Sequence, residues 1–355
     1  MSGQAAQRPA GAPPGWGEAA TTWVAVVCVH GRAPGAAVLL GAAIAAQQTP
    51  PDQAVYLRVA EVRVGGNAPG SPRRKGLPAP AELPAGTRLA AAVTAGLDQL
   101  GGPPVDGYLW LLDDSAVPAP DALRTLLAYA RLDPGAAIIG PKLRAGLSVP
   151  GLSVPGLSVP GQPGGTGSWA PPIVLEAGVS VDRAGRRRTG VRPGEADLGQ
   201  HDGARDVLAV ACAGMLVRAT AWHLLDGLDL ELDAGHDIDL GWRAARAGLR
   251  TVVVPTAVMT SLTPSDAAAT GATAWPERVA ALRIRLAHTA WLLLPAAVLA
   301  LVSGSCPRAL GLLLRGRLRA AAAELALPWA VLSRPRQLLA LRRRAATTRA
   351  VPARV

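Results

Sequence analysis

The run YLWLLDDSAVPAPDAL, Tyr108 to Leu123, ends an apolar stretch on two adjacent carboxylates, Asp113 and Asp114. Such a stretch reads as a buried strand, with a turn and a proline-started helix after it. Ligands of open α/β sheets collect at the carboxyl ends of the strands, so acids delivered there can hold a hard divalent cation against a diphosphate. The same pair would suit a solvated turn or a helix cap equally well. A third acid stands in AGHDIDLGWRAARAG, Ala234 to Gly248. The pattern predicts Asp237 in a loop just before a helix, Asp239 at its N-cap, and Trp242 and Arg243 in its first turn. Asp239 is then structural, and Asp237 is left to face a cleft as a general base. Between these segments, Ala213-Gly214 breaks the chain ahead of Met215-Leu216-Val217-Arg218, where a ligand can approach the backbone closely.

These residues need a scaffold, and the text around them supplies one. Thr22 to His30 is a β-branched run typical of a buried parallel strand, followed by an Ala/Leu-rich helix over Ala33 to Gln48. Gln53 to Val64 predicts a second strand, Gly65 to Pro84 a loop, Arg88 to Leu100 a helix, Pro120 to Ala130 another, and Ala136 to Gly140 a strand. Ile173 to Asp182 and Val207 to Val217 are strand-like, with the polar stretch RRRTGVRPGEADLGQHDG between them. Thr220 to Leu225 begins a short helix, Asp239 to Ala247 is helical, and Thr251 to Pro255 is a last strand. Alternating strands and helices imply βαβ units and a mainly parallel sheet. With no Phe and three Tyr in 355 residues, Leu, Val and Trp must fill the core.

Other segments are read by composition. Residues 1–21 predict a disordered leader, and GLSVP repeated three times from Gly146 to Pro160 marks a flexible insertion over 146–167. The net charge of +11 is a property of the C-terminus: Arg308 to Val355 holds eleven arginines and one acid, Glu324. Arginines beside apolar helices suit an anionic membrane surface, and no nucleic-acid module accompanies them. Thr289 to Pro307 is nineteen uncharged residues, but its densely apolar part is thirteen and contains Pro295, short of the about 20 that a span needs. A helix lying in the interface is therefore expected within 276–345, at the cytoplasmic face, whether peripheral, monotopic or single-span, with a basic tail at 346–355. Cys28, Cys212 and Cys306 form no C-x-x-C pair; Cys28 and Cys212 read as core. A nucleotidyltransferase would need a Lys in the Gly-rich loop after the first strand, and HGRAPGAA has none.

In order and spacing, the segments resemble family 2 glycosyltransferases of the GT-A fold, most of all the membrane-attached enzymes of actinobacteria. VAVVCVH with QQTPPDQAV is similar to that family's opening strand, helix and turn, LWLLDDSAVPAPDALRTLL to its metal-binding region, and HDIDLGWRAARAG to its base-bearing motif. The resemblance covers roughly residues 22 to 260. It implies an α/β, GT-A, Rossmann-like mixed sheet flanked by helices over 22–262, plus basic amphipathic and apolar C-terminal helices. It implies Asp113 and Asp114 on Mg²⁺ or Mn²⁺ and the donor diphosphate, Gly214 beside the bound ligands on the acceptor side, and Asp237 as the base. The partners implied are a nucleotide-sugar donor, a lipid-linked or polysaccharide acceptor and an anionic membrane surface. Four positions depart from the pattern. AVYLRVAEVRVGG has no acid where the nucleoside is gripped, and Ser115 replaces the third position of the acidic motif. His236 precedes the base, and Met259-Thr260-Ser261 stands where a metal-binding His often lies. The alternative these departures imply is a GT-A domain that binds without turnover.

Overall fold

The β-branched run VAVVCVH forms β1 (Val24–His30), and the rest of the sheet is laid on either side of it. The computed structural model describes residues 24–30, 36–59, 81–145, 171–262 and 274–348. The leader, the pentapeptide insertion and the end of the basic tail lie outside these residues. In chain order come α1 (Ala36–Ala45), β2 (Gln53–Val59), β3 (Ala81–Leu83), α2 (Leu89–Gln99), β4 (Tyr108–Asp113), β5 (Ala116–Pro118) and α3 (Ala122–Leu132). Then follow β6 (Ala136–Ala145), β7 (Ile173–Glu176), β8 (Ser180–Val181), β9 (Arg187–Arg188), β10 (Arg205–Asp206), β11 (Leu216–Arg218), α4 (Ala219–Leu224), α5 (His236–Arg246) and β12 (Arg250–Ser261). The C-terminal layer is α6 (Trp275–His288), α7 (Leu294–Leu313), α8 (Leu318–Leu332) and α9 (Pro335–Thr347).

The sheet runs β10-β12-β6-β11-β4-β1-β2-β3, with β5 and β7 at its margin. β1, β2, β3 and β4 are mutually parallel, β6 is parallel to β12, and β11 enters antiparallel to both β4 and β6. The carboxyl ends of β1, β2, β4, β6 and β12 therefore share one edge. Register puts His30 beside Arg58 and Val29 beside Asp113 along that edge.

Both faces are covered. Leu97, Trp222, Leu240 and Ala244 pack from α2, α4 and α5 on one side, and Leu40, Ile44, Leu123 and Leu126 from α1 and α3 on the other. Each Leu buried this way contributes on the order of 2 kcal/mol. The QQTPPD turn serves the scaffold. Gln47 donates to the Ala119 carbonyl at 2.8 Å and accepts from the Leu123 amide at 3.1 Å, joining α1 to the start of α3. Asp52 accepts from the amide of Val24 at 2.7 Å and so fixes the start of β1.

Several boundaries differ from expectation for reasons visible in the packing. Glu82 and its neighbours, expected in a loop, form β3 because β2 offers them an open edge. The run after Ile173 breaks at Gly178 into β7 and β8. Most of Val207 to Val217 is irregular, pairing at Val179↔Ala209 before β11 begins. β12 continues to Ser261 because β5 pairs with its far end. The apolar C-terminal helix is longer than the count of apolar residues implied. Pro295 occupies the first turn of α7 rather than interrupting it, Pro307 is carried inside, and Trp291–Leu313 is 23 residues with mean hydropathy 1.6. By length and composition alone that stretch is sufficient to cross a membrane.

Candidate functional site

Asp113 is the last residue of β4 and is half-buried; Asp114 follows it, almost fully buried. The Asp114 amide donates to the Val29 carbonyl at 3.2 Å, tying the turn to the end of β1. Asp113 accepts from the Ser115 amide at 2.9 Å and from the Ser115 hydroxyl. The serine in the third position of the motif thus fixes the first acid. Ser115 also accepts from the Leu262 amide at 2.8 Å, so Thr260 and Ser261, on β12 opposite β5, run beside the acidic turn.

Gly214 lies in the bend before β11. Its amide donates to the Leu111 carbonyl at 2.8 Å, and its own carbonyl accepts from the buried Trp110 indole at 3.1 Å. Its φ is +94°, and a Cβ there would come within 2.8 Å of Pro141. Glycine is required by both the backbone and the packing. The bend brings Cys212 beside the acids rather than into a strand. Burial pushes the Cys212 thiol well up, and the charges of Asp237 and Asp113 push it further. The same thiol therefore senses the charge of an acid of β4 and of an acid of α5. Cys28, by contrast, lies fully buried inside β1.

Asp237 lies within the first turn of α5 and not in a preceding loop. Gly235, at φ +76°, starts the helix without a side-chain cap. Asp239 does not cap it either: it accepts from Arg243 one turn on, at 2.8 Å, while Arg243 also donates to the carbonyls of Leu225 and Gly227. Fully buried Arg243 thereby fastens the loop before α5. Trp242 stacks on His288 of α6 at 5.3 Å, so it joins two helices rather than supporting the base alone. Helix α5 approaches the sheet closely because Gly241 leaves room: a Cβ there would meet the Leu208 carbonyl at 2.1 Å.

The Asp237 carboxylate is bound. Arg187 of β9 donates from Nη1 to its Oδ2 at 2.5 Å, and the other edge of the guanidinium engages Glu176, at the end of β7, at 2.9 and 3.1 Å. Burial alone would lower the Arg187 pKa, but the charges of Asp237 and Glu176 overcome it and raise it. Burial raises Glu176; Arg187 and the Ala211 amide oppose this, while Asp237 adds to it. His236, next to Asp237, is buried, and among the described residues its ring nitrogens find no hydrogen-bond partner. Burial lowers its pKa in spite of the acids around it.

Arg187 and Glu176 were not singled out in the sequence, although signals for both exist. Among Arg186, Arg187 and Arg188, strand alternation sends the middle one to the opposite face from its neighbours. An acid closing the apolar run IVLE is costly unless it is paired. The open cavity of about 490 Å³ lined by Arg188, Gly190, Arg192, Glu195 and His201 holds none of the candidate acids.

A family model described as "Glycosyltransferase like family 2" matches residues 85–273, just over half of the chain and all three candidate acids. The chain belongs to this glycosyltransferase family. Its mixed sheet, with helices on both faces, agrees with the α/β architecture expected of that family. Among solved structures the enzyme is similar to the "Crystal structure of GalNAc-T7 with UDP, GalNAc and Mn2+", at 14% identity and a TM-score of 0.45, over 69% of this chain and 44% of that one. It is similar also to the "Crystal structure of S. aureus TarS", at 12% identity and a TM-score of 0.40, over 79% of this chain and 42% of that one. The glycosyltransferase thus spans less than half the length of either solved chain. No curated protein matches it.

The donor set of the family 2 glycosyltransferase fits a cation of one kind. Among the described residues no three His, Cys, Asp or Glu side chains gather to hold a metal. Two neighbouring carboxylates suit a hard cation that completes its shell with diphosphate oxygens and water, and do not suit a resident all-protein cage.

Proposed function

We propose that this family 2 glycosyltransferase moves a sugar from a nucleotide-sugar donor to a lipid-linked or other cell-envelope acceptor, with inversion at the anomeric carbon. The observation that carries the reading is the family match over residues 85–273, which include Asp113, Asp114 and Asp237, with Asp113 at the carboxyl end of β4. In this reading Asp113 and Asp114 hold Mg²⁺ or Mn²⁺, which when bound neutralises the donor diphosphate. The acceptor oxygen bonds to the anomeric carbon, the carbon–oxygen bond to the diphosphate breaks, and the nucleoside diphosphate leaves with the bonding pair. Asp237 takes the acceptor proton. Gly214 allows the close packing of the bend before β11 against Pro141 and Met259.

The test is a panel of UDP-, GDP- and dTDP-sugars. One should release its nucleoside diphosphate, and that nucleotide with Mn²⁺ should raise Tm. Absence of release from every donor would sink the reading. One observation favours the alternative, a domain that binds without turnover. Arg58, near the end of β2 where an acid is expected, pairs with Glu82. Nucleotide binding without release from any donor would select that alternative.

We place the enzyme at the cytoplasmic face of a membrane, with the α7–α8 hairpin in the plane of an anionic surface. Trp291, Leu292, Leu299, Leu314, Leu318 and Trp329 are exposed on that hairpin, and Arg315, Arg317 and Arg319 are exposed at its turn. The in-plane placement is supported by Glu324 of α8, which binds Arg278 of α6 at 2.6 Å and Arg308 of α7 at 3.1 Å, tying the two hairpin helices to each other and to α6. Truncation before α6 would uncover α5, so the fitting comparison is the full chain against W291S/W329S. Flotation with anionic vesicles should fall in the variant and fall in high salt. Equal flotation of the two proteins would remove the membrane assignment.

A further inference from the structure

We infer that Arg187, itself held by Glu176, is the positioning residue for the Asp237 carboxylate in the transfer step. The inference rests on the reading of Asp237 as the base and extends it to residues outside the family's acidic motifs. Three elements distant in sequence build the arrangement. β7 ends on Glu176, β9 presents Arg187 inward, and the first turn of α5 presents Asp237. Arg187 gives Nε and Nη2 to Glu176, at 3.1 and 2.9 Å, and Nη1 to Asp237, at 2.5 Å. The two-point bond to Glu176 fixes the plane of the guanidinium and with it the direction from which Nη1 meets the Asp237 carboxylate.

The second acid has a purpose that a purely structural ion pair would not need. A full positive charge on Asp237 would stabilise the carboxylate and weaken it as a proton acceptor. With Glu176 drawing on the same guanidinium, Arg187 orients Asp237 while the cluster keeps a net negative charge. Glu176 in turn accepts from the Ala211 amide, one residue before Cys212. The hairpin that carries Arg187 is itself braced from outside. Arg278 donates to the Ala184 carbonyl at 2.9 Å, and Arg285 to that of Arg183 at 2.6 Å.

The experiment measures pH profiles of kcat and KM for the full chain, using the nucleotide sugar that the wild type turns over. The proteins compared are R187M, R187K, E176Q and the control R188M, whose arginine is exposed and faces Asp182. R187M should lose about 100-fold in kcat, the size expected for a misplaced base, with donor KM little changed. Its acid limb should move to higher pH, because Asp237 then faces Glu176 without a cation between them. E176Q should move that limb the opposite way, since the whole guanidinium charge then falls on Asp237. R187K should restore the position of the limb but only part of kcat, and R188M should match the wild type.

Limbs that move together or not at all, with kcat within about threefold of wild type, would overturn the assignment while leaving glycosyl transfer intact. Failure of the wild type on every donor would remove the base assignment and this inference with it. Melting temperatures accompany each variant. If R187M does not fold, the limb shift of E176Q and the partial rescue by R187K carry the decision.

Discussion

The two acidic walls of the site are held in opposite ways. At the end of β4, Asp113 is fixed by Ser115, two residues along, and Asp114 through its amide by the neighbouring strand. In α5, Asp237 is fixed by Arg187, fifty positions earlier in the chain, which is fixed in turn by Glu176. The first wall is a turn in which Ser115 holds Asp113 locally, anchored through its backbone to β1 and to the end of β12. The second is a tertiary assembly that exists only when β7, β9 and α5 are all in place. A locally held pair suits a partner that comes and goes, such as a cation arriving with its diphosphate. A carboxylate held from a distance suits a step in which its direction matters.

The sharpest way to break this comparison is to remove one acid from each wall. D237N should reduce transfer by about 10²- to 10⁴-fold while nucleotide binding with Mn²⁺ stays near wild type, because a base acts in the chemical step. D114A should instead lose the Mn²⁺-dependent rise in Tm with the cognate nucleoside diphosphate. Equal loss of nucleotide binding in both variants would show that the two walls do one job.

The same contrast explains what was legible in the sequence. The sheet, the helices on its faces and the strand-end position of Asp113 and Asp114 follow from hydrophobic runs and turn residues, which are local. The bend at Gly214 was legible for the same reason. The helix start at Asp237 was misjudged by about one turn because GHDID contains two acids able to cap. The tertiary partner of Asp239, Arg243, took it out of the cap. The ion pair of Asp237 was not legible at all. RRRTG carries no sign of which arginine turns inward until β8 and β9 pair. The arginine-rich C-terminus was expected to face an anionic membrane surface; Arg334 and Arg344 instead pair with Asp233 and Asp229 of the sheet domain, and Arg308 and Arg342 bind within the C-terminal helices.

That docking gives a second, smaller test. Glu324, buried on α8, is contacted by Arg278, Arg308 and Arg186, the last being the neighbour of Arg187. E324Q leaves Arg278 buried with less than its full partner and should cost about 3 kcal/mol, measured by denaturant unfolding. Burial raises the Glu324 pKa, but hydrogen bonds from Arg278 and Arg308 outweigh this and hold it below the usual range. A depressed carboxylate contributes stability that is fully present above its unfolded pKa of about 4.3 and is lost as pH falls through the folded value. Hydrogen-exchange protection of α7 and α8, relative to the intrinsic rate at each pH, should therefore fall below about pH 4 in the wild type and be less pH-dependent in E324Q. The same loss of protection in both proteins would exclude Glu324 as the acid-sensitive contact.

The smallest effect belongs to the outermost contact. Arg334, at the start of α9, pairs with Asp233 at 2.6 Å, three residues before His236, and Arg88 of the turn before α2 shares that acid at 2.8 Å. Both arginines and the acid are substantially exposed, with side-chain exposures of 55%, 46% and 41%. Exposed pairs are worth about 0 to 1 kcal/mol, so R334A should change stability by no more than that, and less still in high salt. The loop before α5 has stronger anchors: Arg243 holds the carbonyls of Leu225 and Gly227, and Gln337 donates to that of Glu231. Because those anchors stay in place, R334A should leave the position of Asp237, and hence kcat, within about twofold of wild type. A large fall in kcat without a fall in stability would mean that α9 reaches the base through Asp233. The second wall would then extend beyond Arg187 and Glu176 into the C-terminal helices.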